Sequence, residues 1–478
     1  MAKVELTTRR RNFIVAVMLI SAFVAILNQT LLNTALPSIM RELNINESTS
    51  QWLVTGFMLV NGVMIPLTAY LMDRIKTRPL YLAAMGTFLV GSIVAAMAPN
   101  FGVLMVARVI QAMGAGVLMP LMQFTLFTLF SKEHRGFAMG LAGLVIQFAP
   151  GPTVTGLIID QASWRVPFII IVGIALVAFI FGLISISSYN EVKYTKLDKR
   201  SVMYSTIGFG LMLYAFSSAG DLGFTSPVVI GAMIISSIII YLFIRRQFNI
   251  SNALLNLSVF KNRTFALCTI SSMIIMMSMV GPALLIPLYV QNSLALSALL
   301  SGLVIMPGAI INGIMSVFTG KFYDKYGPRP LIYTGFTILT ITTIMLCFLH
   351  TDTSYTYLIV VYAIRMFSVS LLMMPINTTG INSLRNEEIS HGTAIMNFGR
   401  VMAGSLGTAL MVTLMSFGAK IFSSTSPSHL TATEIKQQSI AIGVDISFAF
   451  VAVLVMAAYV IALFIREPKV IESNRREF

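Results

Sequence analysis

The stretch GLAGLVIQFAPGPTVTG, residues 140–156, decides the fold class of this chain. It lies in an uncharged span between Arg135 and Asp160. Pro150 and Pro152 each remove a backbone donor and clash with the preceding turn, which a helix tolerates where neighbouring helices satisfy the freed carbonyl groups. The glycines of the stretch leave one face almost without side chains, so that another helix can approach closely. This pattern predicts a kinked, tightly packed membrane-spanning helix, with a purely structural packing motif as the alternative to a direct role in ligand handling.

The composition independently predicts an all-α polytopic membrane protein. Of the 478 residues, 56% are hydrophobic and 10% are charged, and the mean hydropathy is +0.85. This leaves too little polar surface to cover a soluble globule. The net charge of +14 is spread over short segments between apolar runs, which excludes a nucleic-acid partner. The two cysteines, Cys268 and Cys347, both lie in apolar runs, and neither a disulfide framework nor a cysteine metal site is expected.

Fourteen apolar segments have the length that a bilayer requires, about 20 residues each. The segments are 12–36, 52–72, 80–98, 103–126, 137–159, 166–187, 202–219, 227–244, 264–288, 300–319, 331–350, 356–378, 393–417 and 446–465. The first apolar run is long and lacks a small-residue cleavage site, so no cleavable signal peptide is expected. The lipid bilayer is therefore the predicted environment of the whole chain.

Lysine and arginine predict the orientation in the membrane. If the N-terminus is cytoplasmic, nearly all basic residues outside the spans fall in inner segments, and the outer segments hold only Arg41, Arg165, Lys420 and Lys436. This is the positive-inside pattern, and an even number of helices agrees with it. We expect a multi-pass protein of the cell membrane with both termini in the cytoplasm.

A short acidic-basic turn occurs twice and indicates an internal repeat. After the second segment the chain reads AYLMDRIKTR from Ala69, and after the tenth it reads GKFYDKYGPR from Gly320. Two six-helix bundles flanking an inserted pair explain this spacing, with a substrate site near the membrane midplane between them. The predicted units are an N-terminal bundle (1–190), an inserted helix pair with its connections (191–263) and a C-terminal bundle (264–478).

These motifs resemble those of the major facilitator superfamily. Gly151, Pro152 and Gly156 match the glycine-proline antiporter motif of its drug exporters, although Thr155 replaces a usual glycine. The strings LNQTLLNTALP (27–37) and QWLVTGFML (51–59) are similar to the signature of the fourteen-helix drug:proton antiporters, which include lincomycin and quaternary-amine efflux pumps. The resemblance implies the major facilitator fold with fourteen transmembrane helices.

The same resemblance implies a set of conformational gating residues. In the family the acidic residue of the first turn docks against a helix of the other half, which here would begin near Gly392. A solvated loop that only obeys the charge rule is the alternative. The gating candidates are Asp73, Arg74, Arg78, Gly151, Pro152, Gly156, Asp324 and Arg329. The fifth helix, near Gly143 and Gly151, is expected to pack on the tenth, near Gly302 and Gly308.

Polar residues inside the spans are candidates for the substrate cavity. An arginine within the bilayer costs about 2.5 kcal/mol or more unless it faces a polar cavity or a partner. Arg108 with Gln111 resembles the family's fourth-helix motif, and snorkelling to the outer surface is the alternative. Asn28 stands where the branch commonly has an aspartate, so it cannot titrate near neutral pH. The full set is Asn28, Asn33, Arg108, Gln111, Met273, Met277 and Arg400, where the methionines would supply a flexible lining or else fill gaps between helices.

Proton coupling has weaker candidates, because none of the eighteen acidic residues lies at the centre of a predicted span. Asp160, Asp221 and Asp445 lie at outer ends, where desolvation could raise a carboxyl pKa. Asp160, one turn beyond Gly156, is the first candidate, and Asp221 and Asp445 rank after it. The alternative is that all three are hydrated rim charges.

The sequence therefore predicts a proton-coupled secondary multidrug efflux transporter that works by alternating access and is not an enzyme. Its partners would be small amphipathic drugs and protons, and we expect a monomer with no metal and no cofactor beyond the proton gradient. A metabolite facilitator or symporter of the same fold is the alternative.

Two connections carry structural expectations. The segment 245–263 mixes leucines with basic ends and is expected to lie along the inner membrane surface. Thr431 and Glu434 have capping-box spacing, which predicts a short separate helix before the last span.

Overall fold

The computed structural model describes residues 7–45, 47–147, 163–188, 192, 198–250, 253–425 and 431–465. Within these ranges the chain forms fourteen α-helices and two short 3₁₀ turns, Leu257–Lys261 and Asn386–Glu388. The helices, numbered in chain order, are α1 Thr8–Leu43, α2 Glu47–Arg74, α3 Thr77–Ala96, α4 Phe101–Leu129, α5 Arg135–Gln147, α6 Arg165–Ser185, α7 Lys199–Leu222, α8 Pro227–Asn249, α9 Arg263–Asn292, α10 Ala298–Tyr326, α11 Pro328–Met345, α12 Tyr355–Asn382, α13 Ile389–Thr425 and α14 Ala432–Leu463. In that described part, twelve helices are long and apolar enough to cross a membrane. The prediction of an all-α, fourteen-helix membrane protein is confirmed.

The two halves are built from corresponding helix pairs. In the N-terminal half, α4 packs on α3 at Gly114, where an added Cβ would lie 2.5 Å from the carbonyl oxygen of Ala84. In the C-terminal half, α12 packs on α11 at Gly335, where an added Cβ would lie 2.7 Å from Cγ of Leu372. Small residues thus bring the third and fourth helices of each half into close contact.

Two seams join the halves, one between α5 and α10 and the other between α2 and α13. At the first seam, an added Cβ at Gly140 would lie 2.5 Å from the carbonyl oxygen of Ser316, and the Ser316 hydroxyl donates to the Gly140 carbonyl at 2.9 Å. An added Cβ at Gly320 would lie 2.5 Å from the carbonyl oxygen of Gly136. The two helix backbones therefore touch, because glycine leaves no side chain between them.

The expected pairing of the fifth and tenth helices is present, and an added Cβ at Gly143 would lie 2.9 Å from Cβ of Ser316. The described contacts of α5 use the last three turns of α10, from Ser316 onward. Gly308 lies against Met366 and Tyr362 of α12 within the same half, and Gly302 has no neighbour within 4 Å among the described residues. Gly151 lies outside the described residues.

The helix α7 contacts both halves. The Phe209 ring lies 4.3 Å from that of Phe398 on α13, measured between centroids. On its other side, Tyr214 stacks on Trp52 of α2 with centroids 6.0 Å apart, and Ser217 lies within hydrogen-bond distance of a threonine of that helix. Helix α8 packs against α7 and lies outside it. The inserted pair therefore packs along the seam between α2 and α13.

An ion pair holds the inserted helices to each other. Asp198, which precedes α7, accepts from Nε of Arg246 on α8 at 2.5 Å and from its Nη2 at 2.9 Å. The hydrogen bond from Arg246 lowers the pKa of Asp198 to about 2, and a further bond from Ser201 acts in the same direction.

Both expectations for the connections need correction. Helix α8 continues to Asn249, and Leu254 and Leu255 are buried in the protein core rather than laid on a membrane surface. The backbone N–H of Leu255 donates to the Gln247 side chain at 3.2 Å, and this hydrogen bond holds the segment against α8. The capping box of Thr431 and Glu434 is present, but it begins α14 itself, so no separate short helix forms.

Candidate functional site

Cation–π contacts identify which helix ends lie together. Arg11 at the start of α1 lies over the Phe130 ring after α4, and Arg263 at the start of α9 lies over the Phe464 ring after α14. The distances to the ring centroids are 4.7 Å and 5.7 Å. We call this end of the molecule the basic end, and the end at which α4 and α12 begin the opposite end.

Asp73 joins the halves at the basic end. It lies at the end of α2, and one carboxylate oxygen accepts from the hydroxyl of Ser390 on α13 at 2.7 Å. The other oxygen lies 3.1 Å from Nε2 of His391. Helix α13 begins at Ile389, close to the start near Gly392 that the family resemblance implies, and an acidic side chain is favourable beside a helix N-terminus.

His391 also receives a contact from the inserted segment. Its Nδ1 accepts the backbone N–H of Asn256 at 3.3 Å, which leaves the imidazole proton on Nε2, pointing to Asp73. The connection between α8 and α9 is thus tied to the contact between α2 and α13.

Asp324 makes the corresponding contact from the other half. It lies at the end of α10 and accepts the backbone N–H groups of Gly136 at 2.9 Å and Phe137 at 2.8 Å. These donors belong to the first turn of α5, where helical N–H groups have no intrahelical acceptor. The two copies of the acidic turn therefore each bind the first turn of a helix of the opposite half, Asp324 through backbone N–H groups and Asp73 through side chains, and both contacts lie at the basic end.

Arg135 strengthens this closure, and sequence reasoning missed it. Its side chain is buried, and Nη1 donates to Oδ1 of Asn382 at the end of α12 at 2.8 Å. Asn382 also lies 3.5 Å from the hydroxyl of Tyr323 on α10. From sequence, Arg135 is one more basic residue of a loop, and only its place directly before the glycine-rich stretch could have drawn attention to it.

Of the other gating candidates, Arg74 and Arg78 make contacts within the N-terminal half. Arg74 donates to the Tyr70 hydroxyl, and Arg78 donates to the carbonyl oxygen of Leu183 at the end of α6 at 2.9 Å. Arg329 is exposed at the start of α11. The candidates Gly151, Pro152 and Gly156, together with the proton candidate Asp160, lie outside the described residues.

A buried polar network occupies the N-terminal half near the opposite end. Arg108 is fully buried, lies 4.1 Å from the centroid of the Phe57 ring and donates from Nη1 to Oε1 of Gln111 at 3.0 Å. The same oxygen accepts from Nδ2 of Asn28 at 3.2 Å, and Gln111 donates to Ser92 at 3.1 Å. Snorkelling of Arg108 to the surface is therefore wrong, because its guanidinium is buried among these groups. Three predicted cavity residues lie together here.

Asn28 retains an unsatisfied group. Its Oδ1 is buried and has no hydrogen-bond partner among the described residues. A buried acceptor of this kind is costly unless a donor reaches it, so Asn28 is a place where a ligand hydroxyl or amide could bind. Of Asn33, only the helical backbone is described.

Arg365 is the counterpart of Arg108 in the C-terminal half. Both lie on the fourth helix of their half, and Arg365 is likewise fully buried. Its Nη2 donates to the Ser278 carbonyl of α9, but Nε and Nη1 have no partner among the described residues. The sequence shows it only as an embedded arginine, whereas the structure adds two unpaired buried donors.

Arg400 lies on α13 and donates from Nη2 to Oδ1 of Asn397. Asn397 donates in turn to Oε1 of Gln123 on α4 at 2.8 Å, which is a contact between the halves. Arg400 is partly exposed, unlike the other two arginines. It therefore borders the space between the halves.

Met273 and Met277 pack within the C-terminal half. An added Cβ at Gly399 would lie 3.2 Å from Sδ of Met273, and one at Gly407 would lie 2.9 Å from Cβ of Met277. Both methionines thus cover glycines of α13, which favours gap filling over lining of the cavity.

The described proton candidates lie near the opposite end. Asp445 is half-buried, and its Oδ1 accepts the backbone N–H of Leu349, in the loop after α11, at 2.9 Å. Asp221 lies in the last turn of α7, and its side chain is outside the described part. No group of three or more metal-ligating side chains occurs in the described ranges.

Two corresponding helix bundles, closed at one end by two exchanged carboxylate contacts, define a membrane transporter of the alternating-access class, and not an enzyme. The family comparison names the class. The model of the Major Facilitator Superfamily matches residues 18–408, and the chain belongs to that superfamily.

Relatives extend the match to the whole chain. An uncharacterized MFS-type transporter YcnB of Bacillus subtilis (strain 168) is 40% identical over 461 residues, which is 96% of each chain. The lincomycin resistance protein LmrB of the same organism is 38% identical over 457 residues, 95% of each chain. Among solved structures, the human organic anion transporter MFSD10 (TETRAN) aligns with a TM-score of 0.64 over 94% of this chain and 99% of that one. At 12% identity, this last likeness shows the fold alone.

Proposed function

We propose that this protein is a proton-coupled exporter of small amphipathic drugs. The relatives include a lincomycin resistance protein at 38% identity over 95% of both chains. The observation that carries the proposal is the pair of carboxylate contacts, Asp73 to α13 and Asp324 to α5, because each half holds the other closed at the same end. Such contacts must break and form again in every cycle of alternating access.

The proposed orientation places the basic end in the cytoplasm, with both termini there, because lysine and arginine accumulate on the cytoplasmic side of membrane proteins. The conformation described here would then be closed to the cytoplasm. The division into 1–190, 191–263 and 264–478 belongs to the same proposal, with the cavity between the first and the last unit.

The test of export is drug resistance in a pump-deficient bacterium. Expression of the wild-type chain should raise the inhibitory concentrations of lincomycin and of ethidium, and Asp324→Asn should remove most of the increase at equal membrane abundance. Unchanged sensitivity across a broad panel, or saturable accumulation of one sugar or amino acid, would overturn the exporter assignment.

We further propose Asp445 as a proton carrier, with Asp160 and Asp221 as the next candidates. Asp445 is half-buried and receives one backbone N–H, so its carboxylate is held at a fixed place near the opposite end. Each proton entering down a 100 mV potential contributes about 2.3 kcal/mol. Substrate-dependent proton release from energised vesicles should be lost in Asp445→Asn. Full proton flux in that variant would remove Asp445 from the mechanism.

A further inference from the structure

Arg400 places a positive charge near the middle of the membrane. It lies eleven residues after the start of α13 at Ile389. At a rise of about 1.5 Å per residue this is about 16 Å along the helix, roughly half of the ~30 Å hydrocarbon core. The guanidinium is thus far from both water surfaces.

The face of α13 that carries Arg400 is turned to the other half. Asn397, one turn earlier on the same face, donates to Gln123 of α4 at 2.8 Å. Val401, beside it, lies against Gly62 of α2. Since Arg400 is partly exposed and lies between these contacts, it borders the space between the two halves.

Arg400 has no carboxylate partner among the described residues. Its hydrogen-bond acceptor is the neutral amide oxygen of Asn397, and Asn397 is itself held by Gln123. Asp73 and Asp324, the acidic residues of the two repeated turns, bind the starts of α13 and α5 at the basic end and are not partners of Arg400.

The two other embedded arginines add to the same charge. Arg108 is bound by neutral groups, and Arg365 has one backbone carbonyl as its described partner. An ionic group inside a membrane protein is normally paired with an opposite charge. The interior of this protein therefore has positive charge without a described counter-charge.

We propose that Arg400 is the charged subsite of the central cavity and binds the anionic group of an amphipathic substrate. This rests on the proposed export function and specifies its substrate class, namely organic acids with an apolar body in preference to lipophilic cations. A cation in this cavity would meet Arg400 without an acid among the described side chains to balance it, whereas a carboxylate or sulfonate would form a charge-assisted hydrogen bond with the guanidinium.

The test compares two dyes with the same xanthene core and opposite charge, anionic fluorescein and a cationic rhodamine, in everted vesicles that contain the full chain. The wild type should transport fluorescein with the higher kcat/KM. Arg400→Gln should raise the KM for fluorescein about tenfold or more, as expected for the loss of a hydrogen bond to a charged group, and should leave rhodamine transport unchanged or improved. Arg400→Lys, which retains the charge, should keep most of the fluorescein transport.

Lys420→Gln is the matched control, because Lys420 is an exposed cation near the other end of the same helix. It should transport both dyes like the wild type. Membrane abundance and thermal unfolding of each purified variant separate loss of binding from loss of folding.

Export of lincomycin or rhodamine without fluorescein would overturn the charge preference and leave the proposed function intact. An equal loss of both dyes in a folded Arg400→Gln protein, or an equal loss of fluorescein in folded Arg400→Lys, would also overturn it. Failure of the wild type to export any of these compounds would overturn both proposals.

Discussion

Replacing Asp324 by asparagine should open the basic end. The carboxylate accepts two backbone N–H groups of α5, at 2.9 Å and 2.8 Å. Asparagine retains one oxygen for one of these donors, and its NH₂ group faces the other N–H. The variant therefore loses one hydrogen bond to a charged group, worth about 1.5–3 kcal/mol, and the attraction between a negative charge and a helix N-terminus.

Because these terms overlap, we take about 2 kcal/mol for the total effect on the closed conformation. This corresponds to a factor of about 30 in the ratio of closed to open molecules. A population that is about nine-tenths closed would become roughly one-quarter closed, because its ratio falls from about 9 to about 0.3.

Pulsed electron paramagnetic resonance can measure this change as the distance between spin labels at Lys132 and Asn386. These residues lie at the basic end on different halves. The native cysteines, Cys268 and Cys347, would be replaced in the labelled protein. The distance distribution should gain a longer component in Asp324→Asn.

Asp352→Asn is the control for this experiment, because Asp352 is an exposed carboxylate near the opposite end. It should leave the distribution unchanged. If Asp324→Asn gave the wild-type distribution, or if the control produced the same shift, the carboxylate would not hold the closed state and the reasoning would fail.

Three further predictions concern the seam, the inserted pair and the buried arginine. Gly140→Val should abolish drug efflux at normal membrane abundance, because its side chain would meet the α10 backbone. Gly231→Val on α8, where an added Cβ has no neighbour within 4 Å among the described residues, should export normally, and equal activity of the two variants would refute the close seam. Since the pKa of Asp198 is lowered to about 2, its ion pair stabilises the fold above the ordinary aspartate pKa near 4, and this stabilisation is lost as the pH falls toward 2. Asp198→Asn should thus lower the melting temperature at pH 7 by an amount equivalent to about 1–2 kcal/mol, and by much less at pH 2. A decrease in melting temperature that is independent of pH would count against the ion pair. Asn382→Leu should destabilise the closed protein by about 1–3 kcal/mol, since it leaves Nη1 of the buried Arg135 without its acceptor. An unchanged melting temperature would show that Nη1 finds another partner.

The fold was predictable because membrane spans depend on hydropathy and length. The contact of Asp73 with the start of α13 was also predictable, because the resemblance to the major facilitator superfamily implies that the acidic residue of the first turn docks on a helix of the other half. The contact points between α5 and α10 were less predictable. Glycine spacing identifies a smooth helix face, but it does not fix how far one helix is shifted along another, so the contact of Gly320 with Gly136 was not expected.

The candidate site was less predictable, because side-chain partners depend on tertiary contacts. Composition rules treat Arg135 as a loop charge, whereas the fold buries it against Asn382. Similarly, the sequence leaves open whether Met273 and Met277 line the cavity or fill gaps, and the glycines opposite them on α13 favour gap filling. In these cases the residue type was informative, and its neighbours decided its role.

The position of α7 makes the two seams unequal toward the surrounding lipid. Along the seam of α2 and α13, Phe209 and Tyr214 lie against opposite halves, so a molecule diffusing in the bilayer meets a covered joint. The seam of α5 and α10 has no comparable cover among the described helices. The symmetry of the repeat is therefore broken where the protein meets the membrane: in the described part, α7 separates one seam from the lipid, whereas the other seam faces it directly.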